Sequence, residues 1–356
     1  MKTQPRIRVL VIDDSAFSRR TIIRMLERSP LVEVADWAPD GQEALTKALE
    51  NDYDLITLDL EMPRMDGFTF LRILMARRPT PVIVVSGRGD DQDVFKALEL
   101  GAVDFVAKPT PRATPELATI EQELIRKVHS IRELRLDRVV RPQTAGPRLR
   151  VRAPMRPHRV VAIGCSTGGP AALLRLFSEF RAPPPCAFVV SQHMPPGFTA
   201  SFARRLDATT PFRAREASNG MAVEEGVIMV AAGGSHLEFE AAGGAIVARL
   251  VPRSRNERYA PCVDRMFRSA AKHWGADVLA LVLTGMGDDG AAGAVAVKRA
   301  GGNVIAESAD TAVIYGMPQQ AIQLGAVDAV VPLHEIAPLI ESGLADPEAG
   351  DARSAE

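Results

Sequence analysis

The feature that most constrains this chain is a repeated alternation. Apolar runs of four to eight residues, most closed by a reactive or charged side chain, are separated by stretches with apolar residues at helical spacing. Crossovers long enough for helices predict parallel sheets wound by helices on both faces. In the first half, residues 8–12, 31–35, 55–58, 81–85 and 103–107 read as strands. The intervening helices are one capped by Ser15 and others near 42–49, 68–76 and 92–100. In such a sheet the C-terminal strand ends share one crevice, so the residues that close the runs are the ones to examine.

What gathers at the first crevice is acidic. Asp13 and Asp14 end the first strand, Asp59 the third, Ser86 the fourth, and Lys108 with Pro109 the fifth. Three converging carboxylates repel one another unless a cation joins them, and an oxygen-only set suits Mg²⁺. A carboxylate beside that ion can attack a phosphoryl group, with Lys108 neutralising the incoming oxygens and Ser86 hydrogen-bonding one of them. Any one of these residues alone reads better as a helix cap or a surface ion pair; the set does not.

Val11-Ile12-Asp13-Asp14-Ser15, the run from Leu58-Asp59 through Asp66-Gly67, and Ala107-Lys108-Pro109 resemble the response-regulator receiver domain. The resemblance implies a five-stranded, flavodoxin-like doubly wound fold with Asp59 as phosphoacceptor. It further implies Asp13, Asp14 and Asp59 as Mg²⁺ carboxylates and Glu61 as the donor of a backbone carbonyl to the metal. Ser86, Phe105 and Lys108 become the switch set, in which phosphate on Asp59 draws in Ser86 and lets Phe105 rotate.

Residues 115–136 predict an amphipathic helix with Leu117, Ile120, Leu124, Val128, Ile131 and Leu134 on one face, part of which closes this first domain, 1–136. Residues 137–159 lose periodicity and fill with arginine and proline, as a semi-rigid linker does. No aromatic residues are interleaved for base stacking, and no helix-turn-helix follows, so nucleic-acid binding is not expected.

The second half, 160–341, opens on Val160-Val161-Ala162-Ile163-Gly164-Cys165-Ser166-Thr167-Gly168-Gly169, a strand, a tight turn carrying Ser166, and a helix begun by Pro170. Taken alone, such a glycine turn serves a nucleophile, a phosphate site or plain chain reversal equally well. A second strand, 187–191, leads to His193, and a third, 276–283, leads to Gly285-Met286-Gly287-Asp288-Asp289. Between them, residues 212–250 read as an antiparallel excursion. Serine, histidine and aspartate at parallel strand ends meet on one rim, where they suit acyl transfer: nucleophile, base, and an acid that orients the base. Gly285-Met286-Gly287 offers N–H groups to a developing oxyanion. Either Asp288 or Asp289 fits the acid, since acidic residues are also favoured at a helix N-terminus. The order Ser, His, Asp differs from that of α/β-hydrolases, which the use of His334 would restore; a structural role at the start of the last helix suits His334 better.

The blocks 163–170, 191–198 and 283–290 resemble those of the chemotaxis response-regulator protein-glutamate methylesterase (CheB) family. The resemblance implies Ser166 as nucleophile, His193 as base and Asp289 as the orienting acid. The Met286 backbone becomes an oxyanion donor, with Thr167 beside the nucleophile. It implies hydrolysis of glutamate methyl esters on chemoreceptor helices and deamidation of glutamines there. It also implies that a histidine kinase supplies the phosphate and that an unphosphorylated receiver covers the rim. A tenfold to hundredfold suppression needs a closed-state preference of only about 1.4 to 2.7 kcal/mol. Departures from the family pattern are Cys165, Asp288 and the loop 256–262, the last bearing on substrate preference. Rival readings are a phosphorylation-dependent adaptor without activity and an α/β-hydrolase of small esters.

Composition agrees. At 356 residues two cores are expected, and a formal net charge of -1 gives no global argument for nucleic acid or membrane binding. Three cysteines at spacings unlike a zinc site suit reduced thiols in the cytoplasm. A soluble cytoplasmic monomer is expected, without membrane insertion and without a cofactor in the esterase domain, ending in an acidic, disordered tail, 342–356.

Overall fold

The computed structural model describes residues 5–87, 91–109, 115–133, 158–254 and 257–344. The chain divides into two compact units, one within Met1–Pro142 and one within Gln143–Glu356. Most of the expected linker, Asn256 and residues 345–356 lie outside the described residues.

The first unit is a five-stranded sheet in the order β2-β1-β3-β4-β5. Its strands are β1 (Ile7–Ile12), β2 (Val32–Ala38), β3 (Leu55–Asp59), β4 (Val82–Ser86) and β5 (Asp104–Ala107), and every pairing is parallel. The helices are α1 (Ala16–Glu27), α2 (Gly41–Glu50), α3 (Gly67–Arg77), α4 (Asp91–Glu99) and α5 (Pro115–Ser130). Their starts are written in the sequence: Asp40 accepts from the N–H groups of Gln42 and Glu43, Asp66 from that of Thr69, and Ser15 from that of Ser18. α1 packs beside α5 and α2 beside α3, which clothes both faces of the sheet. On α5, Leu124 and Val128 are buried and Leu117 and Ile120 partly so, against a core built on Val9, Val11 and Ile83.

β2 begins and ends later than the apolar run 31–35 indicates. A register shift opposite Val9 and Leu10 lets this edge strand continue through the half-buried Asp36 and the exposed ring of Trp37, residues that an edge tolerates.

The second unit carries a seven-stranded sheet in the order β14-β13-β12-β6-β7-β9-β8. These are β6 (Val160–Cys165), β7 (Ala187–Gln192), β8 (Arg213–Glu216), β9 (Val227–Val230), β12 (Val278–Val282), β13 (Asn303–Glu307) and β14 (Ala329–Val331). All its recorded pairings are parallel. Here the expected excursion is corrected: β8 and β9 belong to the main sheet, and only β10 (Ser235–Ala242) and β11 (Ala245–Pro252) form an antiparallel hairpin. The short strands of 212–250 resemble one another in composition, and only their partners tell them apart.

Around the sheet lie α6 (Gly169–Ser178), α7 (Phe198–Thr209), α8 (Val263–Trp274), α9 (Ala291–Arg299), α10 (Gly316–Gln323) and α11 (Leu333–Leu344). α6 packs with α7 and α11, and α9 with α8 and α10. A cluster of Phe177, Phe180, Phe188 and Phe212, with centroids 5.2–6.4 Å apart, seals one face. Two expected boundaries shift. His158 and Arg159 already belong to this unit, through His158 Nε2 to Asn303 Oδ1 at 3.0 Å and Arg159 N–H to Asp277 O at 3.0 Å. Residues 342–344, expected in the tail, continue α11.

Candidate active site

β12, β6 and β7 are neighbours, and the chain winds outward in opposite directions from the β12–β6 pair, which makes their C-terminal ends a topological switch point. Ser166 follows β6, His193 follows β7, and Asp289 lies on the turn between β12 and α9. Gly168, at φ 79°, supplies the left-handed turn from Ser166 into α6, a conformation with a steric penalty for any other residue. Gly285 is needed for closeness: a Cβ there would lie 2.8 Å from Ser166 Cβ.

His193 Nδ1 lies 3.1 Å from Ser166 Oγ, and its Nε2 lies 2.8 Å from Asp289 Oδ2. A carboxylate accepts, so Nε2 carries the ring proton and Nδ1 is left as the acceptor facing the serine hydroxyl. The ring thus runs in the opposite sense to the chymotrypsin template, with Nδ1 rather than Nε2 toward the serine. Asp289 is 5% exposed while its neighbour Asp288 is exposed, which separates the two acids that sequence reasoning left open. Asp289 also accepts from the N–H groups of Val263 (2.8 Å) and Asp264 (2.9 Å) and from the Cys262 thiol (3.2 Å). Burial opposes ionisation of Asp289. The His193 hydrogen bond and charge, with the N–H donors of α8, outweigh it and hold the carboxyl at about 2.

The turn around Ser166 is braced from several sides. Gln192 Nε2 donates to the carbonyls of Ser166 (2.9 Å) and His193 (3.0 Å), tying the two turns together. Thr284 O accepts the Ser166 N–H at 3.0 Å, while Thr284 Oγ1 donates to Thr167 O at 3.0 Å. The Thr284 N–H in turn donates to the fully buried carboxyl of Glu307 at 2.7 Å. One expectation is corrected: the Gly285 N–H is already committed to Ile314 O at 3.0 Å, so it is not an oxyanion donor. The N–H groups of Thr167 and Met286 have no recorded acceptor among the described residues.

Cys165 is fully buried under α6, and burial pushes its thiol well up, so it fills space beside Ser166 as a neutral group. His334 falls on α11, and neither of its ring nitrogens has a hydrogen-bond partner among the described residues. Sequence reasoning missed Gln192, Asp264, Cys262, Glu307 and Tyr259. Only Asp264 carried a signal, as an acid at a helix start; the others act through contacts made across the fold.

The first unit holds the second constellation. Asp13, Asp14 and Asp59 bring one carboxylate oxygen each to within 4.8 Å of one another. Lys108 Nζ lies 2.5 Å from Asp59 Oδ2 and 3.5 Å from Asp13 Oδ2. Burial pushes Asp59 up to about 6, against the Lys108 hydrogen bond and charge, and Asp13 is raised by burial too. Two buried carboxyls held above their ordinary range, with exposed Asp14 beside them, fit a divalent cation, whose charge would favour the ionised form of Asp13 and Asp59. The Glu61 N–H donates to Asp59 Oδ1 at 3.3 Å, and Ser86, closing β4, is buried with its carbonyl accepting from the Lys108 N–H at 2.7 Å. Phe105 is buried, its ring edge-on to Phe95 at 6.4 Å and its carbonyl held by Lys127 Nζ at 2.6 Å. Lys127 is itself buried against Asp104 at 2.8 Å, a pairing that no motif signals.

Comparison with known proteins is consistent across the chain. The signature described as CheB methylesterase matches residues 161–340, and that of the response regulator receiver domain matches residues 9–118. The protein-glutamate methylesterase/protein-glutamine glutaminase 3 of Geobacter sulfurreducens is 48% identical over 351 residues, covering 92% of this chain and 95% of that protein. The protein-glutamate methylesterase/protein-glutamine glutaminase 1 of Myxococcus xanthus is 47% identical over 343 residues, covering 96% of this chain and 98% of that protein. A crystal structure of the Thermotoga maritima CheB methylesterase catalytic domain is 40% identical with a TM-score of 0.49, covering 52% of this chain and 98% of that one.

Proposed function

The chain belongs to the CheB methylesterase family, with a response-regulator receiver ahead of its esterase domain, and on that premise we propose that Ser166, His193 and Asp289 hydrolyse glutamyl methyl esters of chemoreceptors under the control of phosphate on Asp59. The observation that supports this most is the continuous chain Ser166 Oγ, His193 ring, Asp289 carboxylate across three adjacent strand ends.

In acylation, Ser166 Oγ attacks the ester carbonyl carbon while its proton passes to His193 Nδ1, and Asp289 stabilises the imidazolium through Nε2–H. The carbonyl electrons move onto oxygen, where the Thr167 and Met286 N–H groups receive them, each worth about 3 to 4 kcal/mol. Collapse breaks the C–O bond to methoxide, which takes the Nδ1 proton and leaves as methanol. Water then attacks the acyl-enzyme with its proton passing to Nδ1, and Ser166 leaves reprotonated, giving glutamate. A side-chain amide follows the same path with ammonia leaving, which accounts for glutaminase activity.

In the receiver, Asp13, Asp14 and Asp59, with the Glu61 carbonyl, are the residues that would hold Mg²⁺. Bound there, the ion neutralises charge on the phosphoryl oxygens. An Asp59 carboxylate oxygen attacks phosphorus of a phosphohistidine on a partner kinase, the P–N bond breaks with its electron pair returning to the leaving imidazole, Lys108 meets the incoming oxygens, and Ser86 and Phe105 respond to the new charge. No described helix is long and apolar enough to cross a membrane. The reading places the protein in the cytoplasm, where receptor helices are within reach.

The test is methanol release from methylated receptor fragments, with and without a small phosphodonor. Ser166→Ala is expected to abolish release, and Asp59→Asn to retain unstimulated release but not its stimulation. Wild-type activity in the first variant overturns the triad; a normal response in the second overturns the switch.

A further inference from the structure

The loop that runs from β11 into α8 contributes an aromatic ring that the scheme above does not use. Tyr259 lies flat on the imidazole of His193, with ring centroids 4.2 Å apart and planes 5° from parallel. Its hydroxyl reaches the turn after β12. Gly287 there has φ 91°, and a Cβ on it would lie 2.8 Å from that hydroxyl. One ring therefore spans from the base to the segment that carries Met286.

The loop is tied down on both sides of Tyr259. Glu257 Oε2 accepts from the Ser254 N–H (2.7 Å) and pairs with His236 Nε2 (2.9 Å), a fully buried side chain on β10. Glu257 Oε1 meets Arg265 Nη1 of α8 at 2.7 Å, and Arg265 continues to Glu238 of β10 at 2.6 Å. On the other side, Ala260 O accepts from the Gly234 N–H at 3.2 Å, and Cys262 is bonded to Asp289. The antiparallel hairpin, which contributes no strand to the main sheet, supplies the anchor for this loop.

We propose that Tyr259 is a positioning residue for His193, itself held in place by the His236–Glu257–Arg265 cluster on the hairpin and α8. The inference rests on the reading of His193 as the general base. The two hydrogen bonds of the imidazole lie in its plane at Nδ1 and Nε2, so they fix its ends but resist tilting about the line between them only weakly. A parallel ring on one face blocks that tilt and keeps water off it. When His193 takes the serine proton, the electron-rich face of Tyr259 also favours the imidazolium over the neutral ring. Among the described residues the charged and polar groups around His193 include Asp289, with Cys262 and Asp264 behind it, the Ser166 hydroxyl, the Gln192 amide on the His193 carbonyl, and Arg258, whose guanidinium carbon lies 5.0 Å from the Tyr259 centroid. Replacing Tyr259 leaves all of these residues in the chain.

The experiment is steady-state methanol release by the full-length protein across pH 5 to 9. Tyr259→Leu is expected to lower kcat about 3- to 30-fold, with KM changed less than about twofold. The acid limb of its kcat/KM profile should move to lower pH, because the protonated base has lost a favourable neighbour. Tyr259→Phe should keep at least about half of kcat and the wild-type limb. Glu257→Gln, checked for folding by circular dichroism, should lower kcat in the same sense. Its combination with Tyr259→Leu should cost less than the product of the two single losses. An unchanged kcat and pH profile in Tyr259→Leu, alongside loss of activity in Ser166→Ala, overturns this proposal alone; activity surviving in Ser166→Ala overturns the triad reading on which it rests.

Discussion

Asp289 and Asp264 each cap the helix that the other adjoins. Asp289, just ahead of α9, accepts from the Val263 and Asp264 N–H groups at the start of α8, while Asp264 Oδ1 accepts from the Gly290 (2.9 Å) and Gly293 (2.6 Å) N–H groups at the start of α9. Two helix N-termini that would otherwise hold orphan donors are satisfied by one carboxylate each, and the reciprocal exchange leaves Asp289 a single orientation toward His193.

Asp264→Ala removes one half of that exchange. It is expected to destabilise the esterase domain by about 1 to 2 kcal/mol, as loss of a helix cap does. By loosening Asp289 it should also lower kcat by about tenfold, a loss of roughly 1.4 kcal/mol in transition-state stabilisation. Asp264→Asn keeps an acceptor oxygen and should fall between the variant and wild type. Thermal unfolding and methanol release on the same samples check both expectations; wild-type kcat in Asp264→Ala would show that Asp289 needs no such support.

The two adjacent acids after β12 should behave very differently. Asp288 is exposed, whereas Asp289 is buried against His193. Asp289→Asn is expected to lower kcat by roughly 10⁴, since an amide cannot hold the imidazole in the productive tautomer, and Asp288→Asn by less than about threefold. Comparable losses in the two variants would dissolve the assignment.

The pH dependence of stability follows from the depressed pKa of Asp289. Its folded value of about 2 lies below the ordinary 3.8. A lowered carboxyl contributes stability that is full above the unfolded value and is lost as pH falls through the folded one. The contribution, about 2 kcal/mol, should therefore be present at pH 7 and fade between about pH 4 and pH 2. Denaturant unfolding of wild type and Asp289→Asn should show a gap in stability that narrows across that window. A gap independent of pH would place its origin elsewhere.

Chelation separates the two domains functionally. With EDTA, stimulation by a small phosphodonor should disappear while unstimulated methanol release stays within about twofold, because among the described residues the carboxylate cluster suited to a hard cation is Asp13, Asp14 and Asp59, in the receiver. Lys108→Ala should also lose stimulation, since Lys108 is the cation that contacts both Asp59 and Asp13. Stimulation that persists in EDTA would overturn the role given to the metal.

The parallel sheets, the receiver's acidic crevice and the Ser166–His193 pairing were legible in the sequence because each depends on local order. A strand end fixes which residues reach the rim, and strand ends are read from apolar runs closed by a reactive residue. The helix start at Ser15 was legible for the same reason, as capping is a contact over two or three residues, and the caps at Asp40 and Asp66 are contacts of the same local kind. What tertiary structure decided lies between elements distant in the chain. Burial selected Asp289 over Asp288, because two neighbours on one turn face opposite environments. Pairing partners moved β8 and β9 into the main sheet, since short strands carry no label for their neighbours. The Gly285 N–H proved occupied by Ile314, Cys165 proved to be packing, and Tyr259 came to rest on His193 across 66 residues of sequence. A chain's order specifies which groups are available at a rim; only the packed fold specifies which of them touch.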